Sequence, residues 1–541
     1  MIMLSCERPR MRAILVPRRS PHRYTQFSGG CANWDWWEKP LRLGLQGGSG
    51  RKANAGRSFV KGLTMQEWIA METKGADFGD ARLDARYRVL LDQLSDKPSL
   101  SIPAACGGYA ETMAAYRFFD SKKTTPTKVL QPHRHATLER IRAAKVVIAA
   151  QDTTEVDLTR KQEKVGGPLN DKNRWGIYVH PVLVMTPQRV PLGVVDPLMW
   201  SRDPAELAKD PKERKRERRK KPFAEKESYR WLQGYETACQ LAAEAPNTTV
   251  VSVSDSEGDI YECFVAGVAG TGPRAEWIVR GCQDRSLQEG EKSLMQLLAC
   301  RVPLGEMTIW VSKREASTGD GRKRRQPRES RKANVTVRAV RSLLSPPDRT
   351  GQTKLSPVYV NVILVREENP PPGEEPIEWL LITSLPITKF DEVCTAIGYY
   401  CCRWEIEVYF RVLKSGCKIE DLQFERDDRL QVCLAMYLIV AWRVLHVLML
   451  GRECPKMHCD AVFTEAEWKS VYVIANNTIA PQTPPTLEEI IPLIASLGGY
   501  LGRKHDGPPG PQTMWIGLQR MRDFALAWDT FGPAPNAKSY V

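Results

Sequence analysis

One stretch of the sequence, YYCCRWEIEVYFRVLKSG at Tyr399–Gly416, places charged residues among apolar and aromatic ones. At about 100° per residue, an α-helix brings four of its polar side chains into a wedge of about 60°: Tyr400, Arg403, Glu407 and Lys414. Apolar side chains fill most of the remaining circumference, so the pattern predicts a buried helix with one polar stripe. Because burying unpaired charge is costly, this stripe needs a partner.

Two explanations satisfy the stripe. A salt bridge between Arg403 and Glu407, one helical turn apart, would pair the charges inside the protein. Alternatively, Glu407 binds a metal ion and the other three members of the stripe bind phosphate oxygens. Glu405 and Arg411 fall outside the stripe, and Glu405 is predicted to be structural.

Two aspartates follow runs that are typical of buried strands. Asp152 comes after the run that starts at Val146, and Asp255 after the run that starts at Thr248. In open α/β sheets, ligands gather at the carboxyl ends of the strands, and carboxylates there can share Mg²⁺ with phosphate oxygens. Taken alone, each aspartate is better explained as a cap that follows a strand.

The overall charge favours a polyanionic partner. Lysine and arginine number 78 and the acids 64 in 541 residues, which gives a net charge of +14. A chain of this length has room for three or four structural units, and its basic balance indicates nucleic acid. The alternative is a soluble protein that is basic without a polyanionic partner.

Cysteine usage and hydropathy argue against secreted and membrane classes. The 14 cysteines include no CxxC pair, so the thiols are expected to be reduced and the compartment to be cytoplasmic. No apolar segment of the signal-peptide type follows the basic N-terminus. The most apolar long stretch, Cys433–Leu450, contains Arg443 and His446, which favours a buried helix over a membrane span.

Two basic runs interrupt the pattern, at Lys212–Lys221 and Gly321–Lys332. Either could be a solvated loop. Two such runs in one basic protein favour contact with a phosphate backbone. The second run contributes four candidate DNA contacts: Arg322, Lys323, Arg324 and Arg325.

The spacing Tyr400-x2-Arg403-x3-Glu407-x6-Lys414 resembles the signature of the DDE transposases of the insertion-sequence-four family. Other segments resemble the same family in the same order, between about residues 77 and 531. They are ACGGYAETMAAYRFFD (Ala105–Asp120), QDTTEVD (Gln151–Asp157), GIYVHPVLV (Gly176–Val184), SDSEGDIYE (Ser254–Glu262), EWLLITSLP (Glu378–Pro386) and RWEIEVYFRVLKSG (Arg403–Gly416). A single segment could match by chance, but this order and spacing are specific.

The resemblance implies a role for each matching residue. Asp152, Asp255 and Glu407 would be the catalytic acids and would hold two Mg²⁺ or Mn²⁺ ions. The DNA phosphates would be bound by Tyr400, Arg403 and Lys414. A flipped base would stack on Trp379, whose alternative is a place in the core of a strand. The end-recognition domain supplies three further DNA-contact candidates: Arg82, Arg86 and Arg117. Relatives often carry arginine after the second aspartate, where this chain has Ser256.

The resemblance also implies the architecture. The expected fold is α/β, with a ribonuclease-H-like mixed sheet, a β-rich insertion, an N-terminal helical DNA-binding domain and C-terminal helices. The expected units are a disordered extension (1–64), the end-binding domain (65–140), the first part of the catalytic core (141–274), the insertion (275–385), the second part of the core (386–480) and a dimerisation region (481–541).

The implied activity is that of a cut-and-paste DNA transposase. It would bind terminal inverted repeats of double-stranded DNA as a homodimer, excise the element through a hairpin, and insert it into target DNA. No membrane and no nucleotide cofactor are expected. Two alternatives remain: a metal-dependent nuclease of the same fold without strand transfer, and an inactive DNA-binding relic. The presence of all three acids argues against the relic.

Overall fold

The structure is a computed structural model. It describes residues 13–14, 67–159, 165–171, 173–205, 209–269, 272–288, 293–311, 328–348 and 355–532. The four basic residues Arg322, Lys323, Arg324 and Arg325 lie outside the described residues. The same is true of the predicted extension at 1–64, apart from residues 13–14.

The described N-terminal part of the chain is helical. Its helices are α1 (Glu67–Glu72), α2 (Ala81–Asp96), α3 (Ile102–Cys106), α4 (Tyr109–Asp120) and α5 (Pro126–Arg142). The Asp80 side chain accepts a hydrogen bond from the backbone N–H of Arg82 and caps α2. The apolar residues of α2 recur at three- and four-residue spacing, and this face is buried: Tyr87, Leu90, Leu91 and Leu94.

A mixed β-sheet forms the centre of the molecule. Its strands are β1 (Ala13–Ile14), β2 (Val146–Gln151), β3 (Thr154–Asp157), β4 (Gly167–Pro168), β5 (Trp175–Met185), β6 (Pro191–Trp200), β7 (Thr249–Ser254), β8 (Glu276–Gly281), β9 (Gly305–Val311), β10 (Arg331–Leu344), β11 (Val358–Arg366) and β12 (Glu378–Thr383). β2 pairs in parallel with β7 and antiparallel with β5, and β5 pairs antiparallel with β6. β2, β6 and β7 therefore run in the same direction and end at the same edge.

The β-rich segment continues this sheet. β8 pairs in parallel with β7, and β12, β11, β10 and β9 follow in that spatial order, each antiparallel to its neighbour. The two residues of β1 pair with β9 at the far edge. The segment predicted as an insertion thus continues the sheet of the core, to which it is joined by the hydrogen bonds between β8 and β7.

Helices cover the sheet and complete the chain. They are α6 (Pro211–Lys220), α7 (Arg230–Glu244), α8 (Tyr261–Val268), α9 (Leu294–Ala299), α10 (Phe390–Cys402), α11 (Trp404–Arg411), α12 (Asp427–Glu453), α13 (Glu465–Asn476), α14 (Leu487–Leu497) and α15 (Pro511–Phe531). Among the described residues, α12 is long and apolar enough to cross a membrane. However, 94% of its apolar window is buried inside the protein. It is the central helix against which α2, α5 and α15 pack.

The predicted fold class is confirmed. The chain has a mixed α/β sheet of the ribonuclease-H-like type, a β-rich segment within it, N-terminal helices and C-terminal helices. The first strands of the core, β2 and β7, are parallel neighbours although about 100 residues separate them, which is typical of a crossover connection through helices.

A buried charge network ties α1 to α5. Glu72 is fully buried, and its carboxylate accepts hydrogen bonds from Arg140 Nη1 at 2.6 Å and from His133 Nδ1 at 2.5 Å. The backbone N–H of Val194 donates to His133 Nε2, so the ring proton is on Nδ1. Burial alone would raise the pKa of Glu72, but Arg140 and His133 lower it to about 2.

We expect Glu72→Ala to lower the free energy of unfolding by about 3–5 kcal/mol at neutral pH, because it leaves the Arg140 guanidinium buried without a counter-charge. The folded pKa of Glu72, about 2, lies below its unfolded value. Its contribution is therefore complete above about pH 4.3 and is lost as the pH falls through the folded pKa. Thermal melts across this range measure it.

The control is Glu67→Ala on the same helix, where the side chain is exposed. It should leave the melting temperature almost unchanged. Equal melting temperatures for the Glu72 variant and the parent protein at neutral pH would contradict this account of the network.

Candidate active site

Two aspartates lie at one edge of the sheet because two parallel strands end there. The register pairs Ala150 of β2 with Val253 of β7, and two residues further along each strand come Asp152 and Asp255. Asp152 is 1% exposed, and its Oδ1 accepts a hydrogen bond from the backbone N–H of Thr153 at 2.7 Å. The parallel pairing therefore brings both carboxylates to the same place, as the sequence predicts.

Asp255 is fixed by the turn that follows it. Its Oδ1 accepts a hydrogen bond from the backbone N–H of Glu257 at 2.8 Å and caps the short 3-10 turn Ser256–Gly258. The cap uses one carboxylate oxygen and orients the group at the strand end. Asp255 therefore has the capping role that was its structural alternative, and its second carboxylate oxygen is still located at the edge of the sheet.

Arg403 stands at the junction of α10 and α11 and joins the acids. Its Nη1 donates to Asp152 Oδ2 at 3.0 Å and lies 3.9 Å from Glu407 Oε1. The Arg403 side chain is 14% exposed and that of Glu407 is 26% exposed. The salt bridge expected between Arg403 and Glu407 is thus present, and the same guanidinium also binds the first aspartate.

The negative charges of Asp152, Asp255 and Glu407, which we call the acid cluster, all act on Arg403. Burial lowers the pKa of Arg403, but Tyr400 and the negative charges of Asp152, Asp255 and Glu407 outweigh it and raise the pKa above its usual value. Arg403 is therefore protonated at any ordinary pH. Its guanidinium therefore carries a positive charge beside the acids at this edge of the sheet.

The carboxylate oxygens of the acid cluster are ligands of the type that a hard divalent cation prefers, but such an ion would fit only if Arg403 moved. Among the described residues, no three His, Cys, Asp or Glu side chains are close enough together to hold a metal ion. In the acid cluster, the guanidinium of Arg403 lies between Asp152 and Glu407, where such an ion would be. Since one nitrogen is near both carboxylates, their nearest oxygens are at most about 7 Å apart. To share one ion with Mg–O bonds of about 2 Å, these oxygens would have to come within about 4 Å of each other after Arg403 moved aside.

The helix that carries the predicted stripe is not continuous. α10 ends at Cys402, Arg403 takes the junction, and α11 is followed by a wider, π-type turn over Val412–Gly416. The assumption of one regular helix was therefore wrong. Arg403 and Glu407 still lie side by side, but Lys414 lies 3.4 Å from Glu420, whose carboxylate also accepts the backbone N–H of Asp157.

Tyr400 and Trp379 lie deeper than a surface site requires. Tyr400 is 8% exposed and Trp379 is 4% exposed, with ring centroids 6.2 Å apart. The indole Nε1 of Trp379 is buried without a hydrogen-bond partner. In this structure Trp379 is a core residue of β12, and a flipped base could reach its face only after the surrounding side chains move.

The arginines predicted in the N-terminal helices are of two kinds. Arg82 on α2 and Arg117 on α4 are exposed. Arg86 is half-buried and forms a salt bridge with Glu111 at 2.5 Å. Arg82 and Arg117 are therefore available to a phosphate backbone, whereas Arg86 would first have to release its carboxylate partner.

Sequence reasoning missed Arg230, at the start of α7. Its Nε donates to Thr153 Oγ1 at 2.9 Å, and its Nη2 donates to Glu257 at 2.8 Å. It thus connects the residue after Asp152 with the turn after Asp255. This turn has Ser256 at the position where the motif often has arginine. Arg230 supplies a guanidinium to the turn from α7 instead. A lone arginine after a basic run carries no signal in the sequence for this contact.

Glu405 agrees with its predicted structural role. It is 7% exposed and lies 3.5 Å from Arg189 Nη1, on the side of α11 away from the acid cluster. Burial raises the pKa of Glu405. Its charged form is thus held less firmly than that of an exposed glutamate.

Two family models match parts of the chain. One, for transposase DNA-binding, matches residues 65–124, and the other, for the transposase Tn5 dimerisation domain, matches residues 439–530. The first spans α1 to α4 with Arg82 and Arg117, and the second runs from within α12 to α15. Together they support a DNA transposase similar to that of Tn5, with DNA and a second copy of the chain as partners. Neither match includes Asp152, Asp255 or Glu407.

We expect Arg403→Gln to lower the free energy of unfolding by about 1–3 kcal/mol in a buffer without divalent ions, because three carboxylates lose the cation between them. Thermal melting in EDTA measures this. Arg411→Gln is the matched control, since it removes the same charge from an exposed position on the same helix. Equal melting temperatures for both variants would show that Arg403 does not stabilise the acid cluster.

Proposed function

We propose that the chain is a cut-and-paste DNA transposase of the insertion-sequence-four family. The observation that carries the proposal is the position of Arg403 between Asp152 and Glu407, with Asp255 at the end of the neighbouring parallel strand, at the carboxyl edge of a ribonuclease-H-like sheet. The matches to DNA-binding and dimerisation domains on either side of this sheet give it a DNA substrate and a second subunit.

Asp152, Asp255 and Glu407 are the proposed metal ligands, with Mg²⁺, or Mn²⁺ in its place, as two ions per site. When bound, these ions would activate water or a DNA 3′-hydroxyl and stabilise the leaving oxygen of an in-line displacement at phosphorus. The protein supplies the positions of the acids: β2 and β7 fix the two aspartates, and α11 brings the glutamate to them.

The guanidinium of Arg403 has two partners in this proposal. In the described structure it neutralises Asp152 and Glu407. If these acids held metal ions, the guanidinium would no longer be needed to neutralise them and could bind a DNA phosphate, which an arginine can do with two parallel hydrogen bonds. Arg403 would then hold the scissile strand next to the acids that it previously paired.

Tyr400 and Lys414 are the other proposed phosphate ligands, and Trp379 is the proposed stacking platform for a flipped base. Lys414 is 27% exposed and pairs with Glu420, so it can exchange that carboxylate for a phosphate at small cost. Trp379 is buried, so stacking requires that DNA binding opens its surroundings. Unstacking a base costs a few kcal/mol, and a new aromatic partner recovers part of it.

The proposed reaction begins with a nick at the end of the element. The freed 3′-hydroxyl then attacks the opposite strand and forms a hairpin. Hairpin opening and transfer to target DNA follow. A dimer would bridge the two ends, with the N-terminal helices of each subunit on one end and the C-terminal helices holding the subunits together.

The test uses the purified full-length protein, Mg²⁺ and duplex DNA carrying the terminal inverted repeats that flank its gene. We expect Glu407→Gln to lower the cleavage rate by about 10³-fold or more, equivalent to about 4 kcal/mol of transition-state stabilisation. DNA binding should be retained, because the N-terminal helices are unchanged. Gel analysis of cut, hairpin and joined products measures each step.

Glu405→Gln is the control, because this glutamate lies on the same helix and is already inclined to the neutral form by burial. It should cut at close to the parent rate. Cleavage without joined products would indicate a nuclease, and binding without any cleavage would indicate an inactive DNA-binding protein. Cleavage that survives in the Glu407 variant would contradict the proposed active site.

A further inference from the structure

The basic run at Lys212–Lys221 forms a helix rather than a loop. α6, with the sequence PKERKRERRK, contains no apolar residue except Pro211 at its first position. It begins at Asp210, whose side chain accepts hydrogen bonds from the backbone N–H groups of Lys212 and Glu213. None of its described side chains is buried, so α6 contributes nothing to a hydrophobic core.

The charges of α6 are divided between two faces. At about 100° per residue, and with Lys212 at 0°, four cations fall within an arc of about 100°: Lys212, Arg216, Arg219 and Lys220. The two acids, Glu213 and Glu217, lie together beyond this arc, and Glu217 pairs with Lys209 at 3.0 Å. The helix therefore presents one continuous cationic face, which we call the basic face of α6.

The segment that carries α6 leaves the sheet, and returns to it, at the edge where the acid cluster lies. It starts after Trp200, the last residue of β6, and ends at Arg230. Tyr178 of β5 pairs with Trp200 on one side and with Glu155, three residues after Asp152, on the other. Trp200 is thus two strand spacings, about 10 Å, from the chain that leaves the first aspartate.

Both ends of this segment are fixed by side chains. At the start, Arg202 forms a salt bridge with Glu227 at 2.9 Å, and Trp200 Nε1 donates to the same carboxylate at 3.0 Å. At the end, Arg230 donates to Thr153 at 2.9 Å, next to Asp152. The segment that carries α6 is therefore anchored at both ends beside the acid cluster.

The basic face is costly to the isolated protein. Lys212, Arg216 and Lys220 are spaced four residues apart, and like charges at this spacing destabilise a helix by a few tenths of a kcal/mol per pair. The described side chains of this face are not buried, so no hydrophobic packing offsets the repulsion. A row of phosphates would remove this repulsion and release counterions from the DNA.

We propose that the basic face of α6 binds the backbone of duplex DNA on the far side of the cleavage point. Before excision this is the DNA that flanks the element, and at strand transfer it is the target DNA. A helix of this length spans about 15 Å, the length of about four base pairs. The inference rests on the proposed function, because it assumes that DNA is cut at the acid cluster.

The variant Lys212→Gln/Arg216→Gln/Arg219→Gln/Lys220→Gln tests this. Glutamine keeps the helix propensity, and none of the four side chains is buried, so the fold should be retained. Two duplexes are compared in EDTA: one that stops at the end of the terminal repeat, and one that continues for about 20 base pairs beyond it. Fluorescence anisotropy over a range of salt concentrations gives the affinity and its salt dependence for each.

For the extended duplex, we expect the variant to bind about tenfold more weakly, with a log–log salt slope smaller by about 2 to 4, since each lost phosphate contact removes about one unit. For the duplex without a flank, both proteins should give the same affinity and slope. Equal loss on both duplexes, or no loss on either, would overturn the inference.

Glu213→Gln/Glu217→Gln is the matched control in the same helix. It adds positive charge and should tighten binding to the extended duplex alone. A second assay distinguishes target DNA from flanking DNA. The protein is first bound to a cut end, and its capture of an unrelated target duplex is then measured. Weaker capture by the four-residue variant would show that the basic face binds target DNA as well as the flank. If the parent protein binds no duplex at all, the proposed function fails, whereas binding with unchanged slopes rejects only the role of α6.

Discussion

The ion pair between Arg403 and Asp152 connects parts of the chain that are 251 residues apart, and the candidate site depends on it. One side is fixed by the parallel pairing of β2 with β7, which brings two aspartates to a common edge. The other is fixed by the junction of α10 and α11, which places Arg403 one turn before Glu407. Without a cation between them, these acids would repel one another at short range, where the solvent screens charge poorly. The requirement for a cation follows from the packing of the sheet against this helix.

Under the proposed function, the same requirement would let Arg403 serve two states. A guanidinium and a divalent ion both neutralise carboxylates, but only the ion leaves the guanidinium available for phosphate. Other buried charged residues form ion pairs within the protein. Glu72 with Arg140, and Asp259 with Arg285, satisfy each other inside the protein. The acid cluster differs from these pairs because one guanidinium, that of Arg403, serves two carboxylates, those of Asp152 and Glu407.

Much of this arrangement could be predicted from the sequence, because it depends on local pattern. The runs before Asp152 and Asp255 predict strands, and both strands are present and end where expected. Other features depend on tertiary contacts that spacing does not encode. The break at Arg403 and the wider turn at Val412–Gly416 move Lys414 to Glu420, although a regular helix would align it with Glu407. Arg230 reaches Thr153 across 77 residues, and Trp379, which the motif assigns to a base, packs inside the core.

The most direct measurement of the central claim is a crystal structure of the full-length protein with a duplex end and Mn²⁺, with the ions located by anomalous scattering. The account predicts manganese bound by Asp152, Asp255 and Glu407, with the Arg403 guanidinium moved from Asp152 to a DNA phosphate. Manganese at another place, with Arg403 still bound between Asp152 and Glu407 while DNA occupies the edge of the sheet, would contradict it.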